Sequence, residues 1–241
     1  MHFVKAAGLR QYAFVSESPL PSILRETGPM KLYTFFRSSA AFRMRIALNC
    51  KGIAYEPQVV SLPKDEHKLA GYLAVHPQGL VPALEDGGKI YVQSLAMMEY
   101  LEETHPQPPL LPANAEDRAY VRAVAQIIAC EIHPLNNLRT LRYVKKSYGL
   151  DDEGVNVWYR HWIAEGLGGL EVYLASSKKY AKYCYRDQVT IADCCLVPQV
   201  FNAQRYQCNL VPYPTIMGIF EECMKLDAFI DAQPSRQPDA A

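Results

Sequence analysis

Residues 31–52 read KLYTFFRSSAAFRMRIALNCKG, and the fold of the chain turns on this stretch. Residues 31–35 alternate in character as a short strand does. After Ser38 and Ser39, the apolar residues Phe42, Ile46, Ala47 and Cys50 recur at helical spacing. Arg43, Arg45, Asn49 and Lys51 are expected on the opposite face of that helix. Gly52 follows as a C-terminal cap would, because the residue after a helix commonly takes the left-handed conformation that glycine tolerates.

Downstream, residues 55–60 read as a second strand, and a polar helix is expected near residues 66–75. Asp86-Gly87-Gly88 separates two strand candidates, residues 81–85 and 89–92, and predicts a hairpin. A further helix is expected from Ser94 to about Thr104. The order β-α-β-α-β-β-α fits an α/β thioredoxin-like sandwich, with the hairpin supplying the antiparallel part. Four prolines between His105 and Asn114 mark a linker. The remainder reads as all-α: residues 115–130 are strongly periodic, Pro134 kinks or restarts the chain, and a long segment covers residues 152–176. Thr190-Ile-Ala-Asp193 resembles a capping box, with Asp193 closing the start of an apolar helix. The expected domains are therefore residues 30–111, thioredoxin-like, and residues 112–241, all-helical. Residues 1–29 lack the continuous apolar centre of a secretory signal and are expected to be a disordered N-terminal extension.

The bulk composition narrows the classes of function. Lys+Arg and Asp+Glu both count 25, so the formal net charge is zero and exerts no general pull on nucleic acid or anionic membranes. An anionic substrate must then be drawn by local charge. The seven cysteines are odd in number and irregularly spaced, without C-x-x-C, which points to buried thiols in a reducing, cytoplasmic setting rather than disulfides or zinc. The six histidines show no metal-ligand spacing. No apolar run approaches the roughly 18–20 residues of a spanning helix.

Three corners of the first domain carry candidate chemistry. The turn Phe36-Arg37-Ser38-Ser39-Ala40 stands where a dithiol oxidoreductase needs its cysteines, and none is present. Two hydroxyls at a helix N-terminus act either as plain N-caps or as donors to a bound thiolate, whose charged form they would favour. Pro82, after Val81, opens a strand before the hairpin and is either an ordinary edge proline or a cis peptide that presents the Val81 backbone to a ligand. Gln93-Ser94 begins the next helix, where Ser94 is either its N-cap or part of a carboxylate-binding corner.

Five runs in order now carry a resemblance: FFRSSAAFRMRIAL from Phe35, HPQGLVPAL from His76, QSLAMMEYLEE from Gln93, IHPLNNLRTLRY from Ile132 and TIADCCLVPQVFNAQRY from Thr190. Together they resemble the zeta-class glutathione transferases, a family that includes maleylacetoacetate isomerases and bacterial maleylpyruvate isomerases. The likeness covers nearly everything from Met30 onward. It implies the glutathione transferase fold, glutathione as cofactor and a homodimer. Ser38 and Ser39 are then implied at the thiol, Val81 and a cis Pro82 at the cysteinyl backbone, and Gln93 and Ser94 at the γ-glutamyl end. His133 and Asn137 are implied to face the same cleft. Arg37, Arg139 and Arg205 are implied to hold a maleyl diacid, a role suited to the planar guanidinium fork, with Arg37 and Arg205 also stabilising charge during catalysis. The family motif usually reads Ser-Ser-Cys, whereas this chain has Ala40, as the maleylpyruvate isomerase branch also lacks the cysteine.

The function implied is glutathione-dependent cis–trans isomerisation, first of maleylacetoacetate to fumarylacetoacetate in aromatic amino-acid breakdown. Maleylpyruvate isomerisation in gentisate breakdown is the alternative, and a general glutathione S-transferase is a third reading.

Overall fold

The computed structural model describes residues 28–240, so the expectation for residues 1–29 falls, up to residue 27, outside the described part. The first unit contains β1 (Met30–Thr34), α1 (Ser39–Cys50), β2 (Tyr55–Val59), α2 (Ala70–Val75), β3 (Ala83–Asp86), β4 (Lys89–Val92) and α3 (Ser94–Thr104). Its sheet has the order β2-β1-β3-β4. β1 runs parallel to β2 across the α1 crossover, while β3 and β4 pair antiparallel, which is the expected thioredoxin-like arrangement. The tight β3–β4 connection needs positive φ at two successive positions, and Gly87 (φ 55) and Gly88 (φ 76) supply it.

Helix α1 departs from the amphipathic expectation. Arg43 is 2% exposed and Arg45 0%, and Lys51 is buried as well. The reason is tertiary: α1 packs against α3 on its own side and against the later helices α7 and α9 on the other, leaving no solvent face. The polar helix expected near residues 66–75 also divides, into a 3-10 turn, Glu66–Lys68, and the short α2. Between them Leu69 is extended (φ −73, ψ 147), which breaks the helical ladder.

The second unit comprises α4 (Ala115–Gln126), α5 (Leu138–Tyr148), α6 (Asp152–Ser177), α7 (Ile191–Arg205), α8 (Pro214–Cys223) and α9 (Asp227–Ile230). Beyond α4 the chain widens into a π segment, Ile127–Ile132, and tightens into a 3-10 turn, His133–Asn136. Pro134 has no N–H, and its ring opposes a regular turn onto the carbonyl four residues back, so the helix cannot pass through it unchanged. Gly166 of α6 makes room for this irregularity, because a Cβ there would lie 2.4 Å from Ile132 Cγ1. The capping box at α7 forms as expected: the Thr190 N–H and hydroxyl both donate to Asp193 Oδ2, at 2.8 and 2.9 Å.

One apolar core runs through both units, from Phe42 and Met97 to Val124 and Leu196. A buried ion pair secures the connection. Lys51 Nζ lies 2.5 Å from Glu102 Oε1 and also donates to the carbonyls of His105 and Pro108. Glu102 in turn accepts the Leu110 and Leu111 N–H groups. The proline-rich connection is thereby tied to the ends of α1 and α3. No helix among the described residues is long and apolar enough to cross a membrane.

Candidate active site

The chain leaves β1 through a turn at Phe36 and Arg37, where the Ser38 N–H donates to the Phe35 carbonyl at 2.9 Å. Ser38 is the N-cap of α1: its φ/ψ are extended and its Oγ accepts the Ala41 N–H at 3.2 Å. Among the described residues the Ser38 hydroxyl hydrogen meets only the Val81 carbonyl, at 3.5 Å, a distance at which a hydrogen bond contributes little. That hydrogen is available to a ligand. Ser39 differs. It is 5% exposed, and its Oγ accepts a short hydrogen bond from Asn202 Nδ2 of α7. The structure therefore separates the two serines, leaving Ser38 at the surface of the cleft and burying Ser39 between α1 and α7. Ala40 follows as the second residue of α1.

Val81 approaches Ser38 through the Ser38–Val81 contact, and the Val81–Pro82 peptide is cis. Gln93 is the N-cap of α3 with the unusual φ of 70°, and no side chain caps the helix. Ser94, read from sequence as a possible N-cap, is instead the first helical residue. The uncapped first-turn N–H groups of α3 give this corner a pull on anions. Gln93 Nε2 donates to Gln78 Oε1 at 3.1 Å, linking two exposed side chains at its rim.

Arg43, expected on the outward face of α1, is buried instead. Arg43 Nη1 lies 3.4 Å from Ser94 Oγ, while its Nε and Nη2 have no hydrogen-bond acceptor among the described residues. Burial pushes its proton affinity down, and no carboxylate offsets that cost. The neighbouring Arg45 shows the contrast, since it donates to Ala232 O, Thr34 Oγ1 and Phe36 O. A guanidinium left unpaired in the interior is costly, so an unpartnered one beneath an uncapped helix start marks a place for an anionic group. The available signal was the pattern Arg43-Met-Arg45 inside an otherwise apolar helix.

The helical unit brings His133 and Asn137 together, with Nε2 and Nδ2 3.4 Å apart. Asn137 also caps α5 by accepting the Arg139 N–H at 3.1 Å. His133 is pushed down to about 3, first by burial and then by Arg43 and Arg139, so it is neutral at ordinary pH. Arg37, Arg139 and Arg205 are exposed, and none has a carboxylate partner among the described residues. Arg37 lies over the Phe36 ring at 4.8 Å and Arg205 over Tyr206 at 5.2 Å. The Ser39–Asn202 contact draws their two elements together: Arg37 stands two residues before Ser39, and Arg205 three residues after Asn202. Hollows of about 490 Å³ by the β3–β4 turn and 540 Å³ between α4 and α6 lie elsewhere and contain none of the candidate site residues.

These residues fit a thiol peptide with an anionic end. The Ser38 hydroxyl is close to the Val81 backbone, and the uncapped start of α3 lies against a buried guanidinium with no carboxylate partner among the described residues. A thioredoxin-like sheet with a serine in place of redox cysteines, followed by a helical unit, defines the glutathione transferase class. The glutathione S-transferase N-terminal domain family matches residues 32–109. Maleylacetoacetate isomerase of Mus musculus is 44% identical over 216 residues, covering 89% of this chain and 96% of that one. A solved maleylpyruvate isomerase, described as a bacterial glutathione S-transferase in zeta class, aligns at TM-score 0.86 and 48% identity, covering 88% and 100% of the two chains. Maleylacetoacetate isomerase from Methylobacterium extorquens AM1, solved with bound malonate and glutathione, aligns at TM-score 0.85 and 41% identity over 88% and 99%. The chain belongs to the zeta-class glutathione transferase and maleylacetoacetate isomerase family.

Proposed function

We propose that this protein is a glutathione-dependent cis–trans isomerase that converts maleylacetoacetate to fumarylacetoacetate. The observation that carries the reading is the Ser38 hydroxyl, beside Val81 with only a long contact for its hydrogen, together with Arg37, Arg139 and Arg205, which have no carboxylate partner among the described residues. A relative that holds both glutathione and a dicarboxylate supports it.

When bound, glutathione supplies the thiolate that adds reversibly to the cis double bond, allowing rotation before it leaves. The chain's own residues bind, orient and stabilise. Ser38 donates to the sulfur and favours its charged form, while Ser39 keeps α1 seated on α7. Val81 offers its backbone to the cysteinyl unit, with Pro82 shaping that segment. Gln93 and Ser94 take the γ-glutamyl end above Arg43, and neutral His133 and Asn137 line the facing wall. Arg37, Arg139 and Arg205 hold the substrate carboxylates. Arg37 and Arg205 also stabilise the negative charge that develops next to the attacked carbon, where fixed cations contribute most.

We assign residues 30–111 to glutathione binding and residues 112–241 to the substrate, in a cytoplasmic homodimer. Maleylpyruvate is the second substrate reading, favoured by Ala40 in place of the usual cysteine and by the 48% identity to a maleylpyruvate isomerase. A turnover assay with both maleyl acids, with and without glutathione, tests the proposal. Catalytic amounts of glutathione should suffice for the isomerase, whereas stoichiometric consumption would identify a conjugating transferase.

A further inference from the structure

The last residues of the chain return to the turn that precedes Ser38. After α9 the chain forms a 3-10 turn, Pro234–Arg236, and is then fastened: Gln237 Nε2 donates to the carbonyls of Asp231 and Gln233, at 2.9 and 3.0 Å. Asn49 Nδ2 and Arg45 Nε hold the same region to α1 through Ala228 O and Ala232 O. Asp239 then accepts the Phe36 N–H on its Oδ2 at 2.9 Å, across 203 residues of sequence. Arg45 Nη2 donates to the Phe36 carbonyl at 3.0 Å. Both backbone polar groups of Phe36 are therefore held by side chains from outside the turn, one anionic and one cationic.

We propose that Asp239 is a positioning residue for the turn Phe36–Arg37, setting where the Arg37 guanidinium and the Ser38 hydroxyl stand in the cleft. The inference rests on the reading of Arg37 and Ser38 given above. The physical reason is that a sharp strand-to-helix turn takes Phe36 out of the β ladder, and its N–H needs another acceptor. A carboxylate makes that hydrogen bond about twice as strong as a neutral acceptor would. Arg37 rests on the Phe36 ring, so movement of this peptide carries the guanidinium with it. Displacements of about 1 Å at a positioning group cost on the order of a hundredfold in rate.

The experiment compares Asp239→Asn and Asp239→Ala with wild type, in the full chain, by diacid kinetics and by calorimetric titration with glutathione. Asparagine keeps an acceptor oxygen but not the charge, so the proposal expects a graded loss. For the diacid, kcat/KM should fall about three- to tenfold in Asp239→Asn and about ten- to a hundredfold in Asp239→Ala. Glutathione affinity should stay within about threefold, because the contacts assigned to Val81, Gln93 and Ser94 do not hang on this turn and only the Ser38 contact does. If Asp239→Ala does not fold, Asp239→Asn decides alone. Wild-type diacid kinetics in Asp239→Asn, an Asp239→Ala no worse than wild type, or a parallel loss of glutathione affinity overturns the proposal. A wild-type chain that does not bind glutathione sinks the site reading itself, and the wild-type titration shows this separately.

Discussion

Asn202 of α7 donates a short hydrogen bond to Ser39 Oγ at the start of α1, joining the two units at the candidate site. The adjacent Ser38 keeps its hydroxyl hydrogen for the cleft. Two serines that look equivalent in sequence therefore predict opposite phenotypes. Ser38→Ala should fold with only the loss of an N-cap, about 0.5–2 kcal/mol, and turn over about ten- to a thousandfold more slowly. Ser39→Ala should act mainly on stability, by about 0.5–1.5 kcal/mol, since it removes the acceptor of the half-buried Asn202 amide. Urea melts and steady-state kinetics on both variants check this. The assignment is reversed if Ser39→Ala is the one that loses turnover.

Arg43→Met should lower glutathione affinity by about ten- to a hundred-and-fiftyfold, the scale of one charge-assisted contact. It should not destabilise the free protein and is expected to stabilise it, because the unpartnered Nε and Nη2 nitrogens leave the interior with the charge. Calorimetry and denaturant titration read the two effects independently. A destabilised variant with normal affinity would make Arg43 purely structural.

Substrate charge is tested at Arg139 and Arg205. Arg205→Met or Arg139→Met should raise the Michaelis constant for the diacid about ten- to a hundred-and-fiftyfold, with a far smaller change in glutathione affinity. Lysine at the same positions should rescue only in part, for want of the planar fork. Unaltered diacid kinetics in both variants would remove these arginines from the site.

His133 titrates near 3 when folded and near 6.5 when unfolded, so between those values the unfolded chain binds the extra proton. Stability should therefore fall as pH drops through this window, by at most about 1.4 kcal/mol per unit from this group. His133→Gln should flatten that acid limb while leaving the pH 7 to 9 range parallel to wild type. Denaturant melts at pH 7 and pH 5 measure it, and equal pH slopes in the two proteins would contradict the assignment.

Much of the architecture was legible in the residues because local chemistry dictated it. Gly87 and Gly88 make the hairpin in the only backbone conformation that connection allows, and Thr190 with Asp193 closes a helix start by reach alone. Ser94 stands at the start of α3 as expected, while the cap reading, one of the two open for it, falls to Gln93, since which residue adopts the cap dihedrals depends on the strand it leaves. The order of these elements carried the family resemblance, and with it glutathione and the candidate residues.

Burial across units was not legible. Arg43 and Arg45, two residues apart, project to different sides of α1, Arg43 toward Ser94 of α3 and Arg45 toward Ala232 beyond α9, and both are interior because helices from elsewhere in the chain cover both sides. The same packing distinguishes Ser38 from Ser39 and brings Asp239 to Phe36. Periodicity reports which side of a helix is apolar, because neighbours three and four residues apart share a face. It carries no information about partners 163 or 203 residues away, whose arrival is decided by how the helices pack.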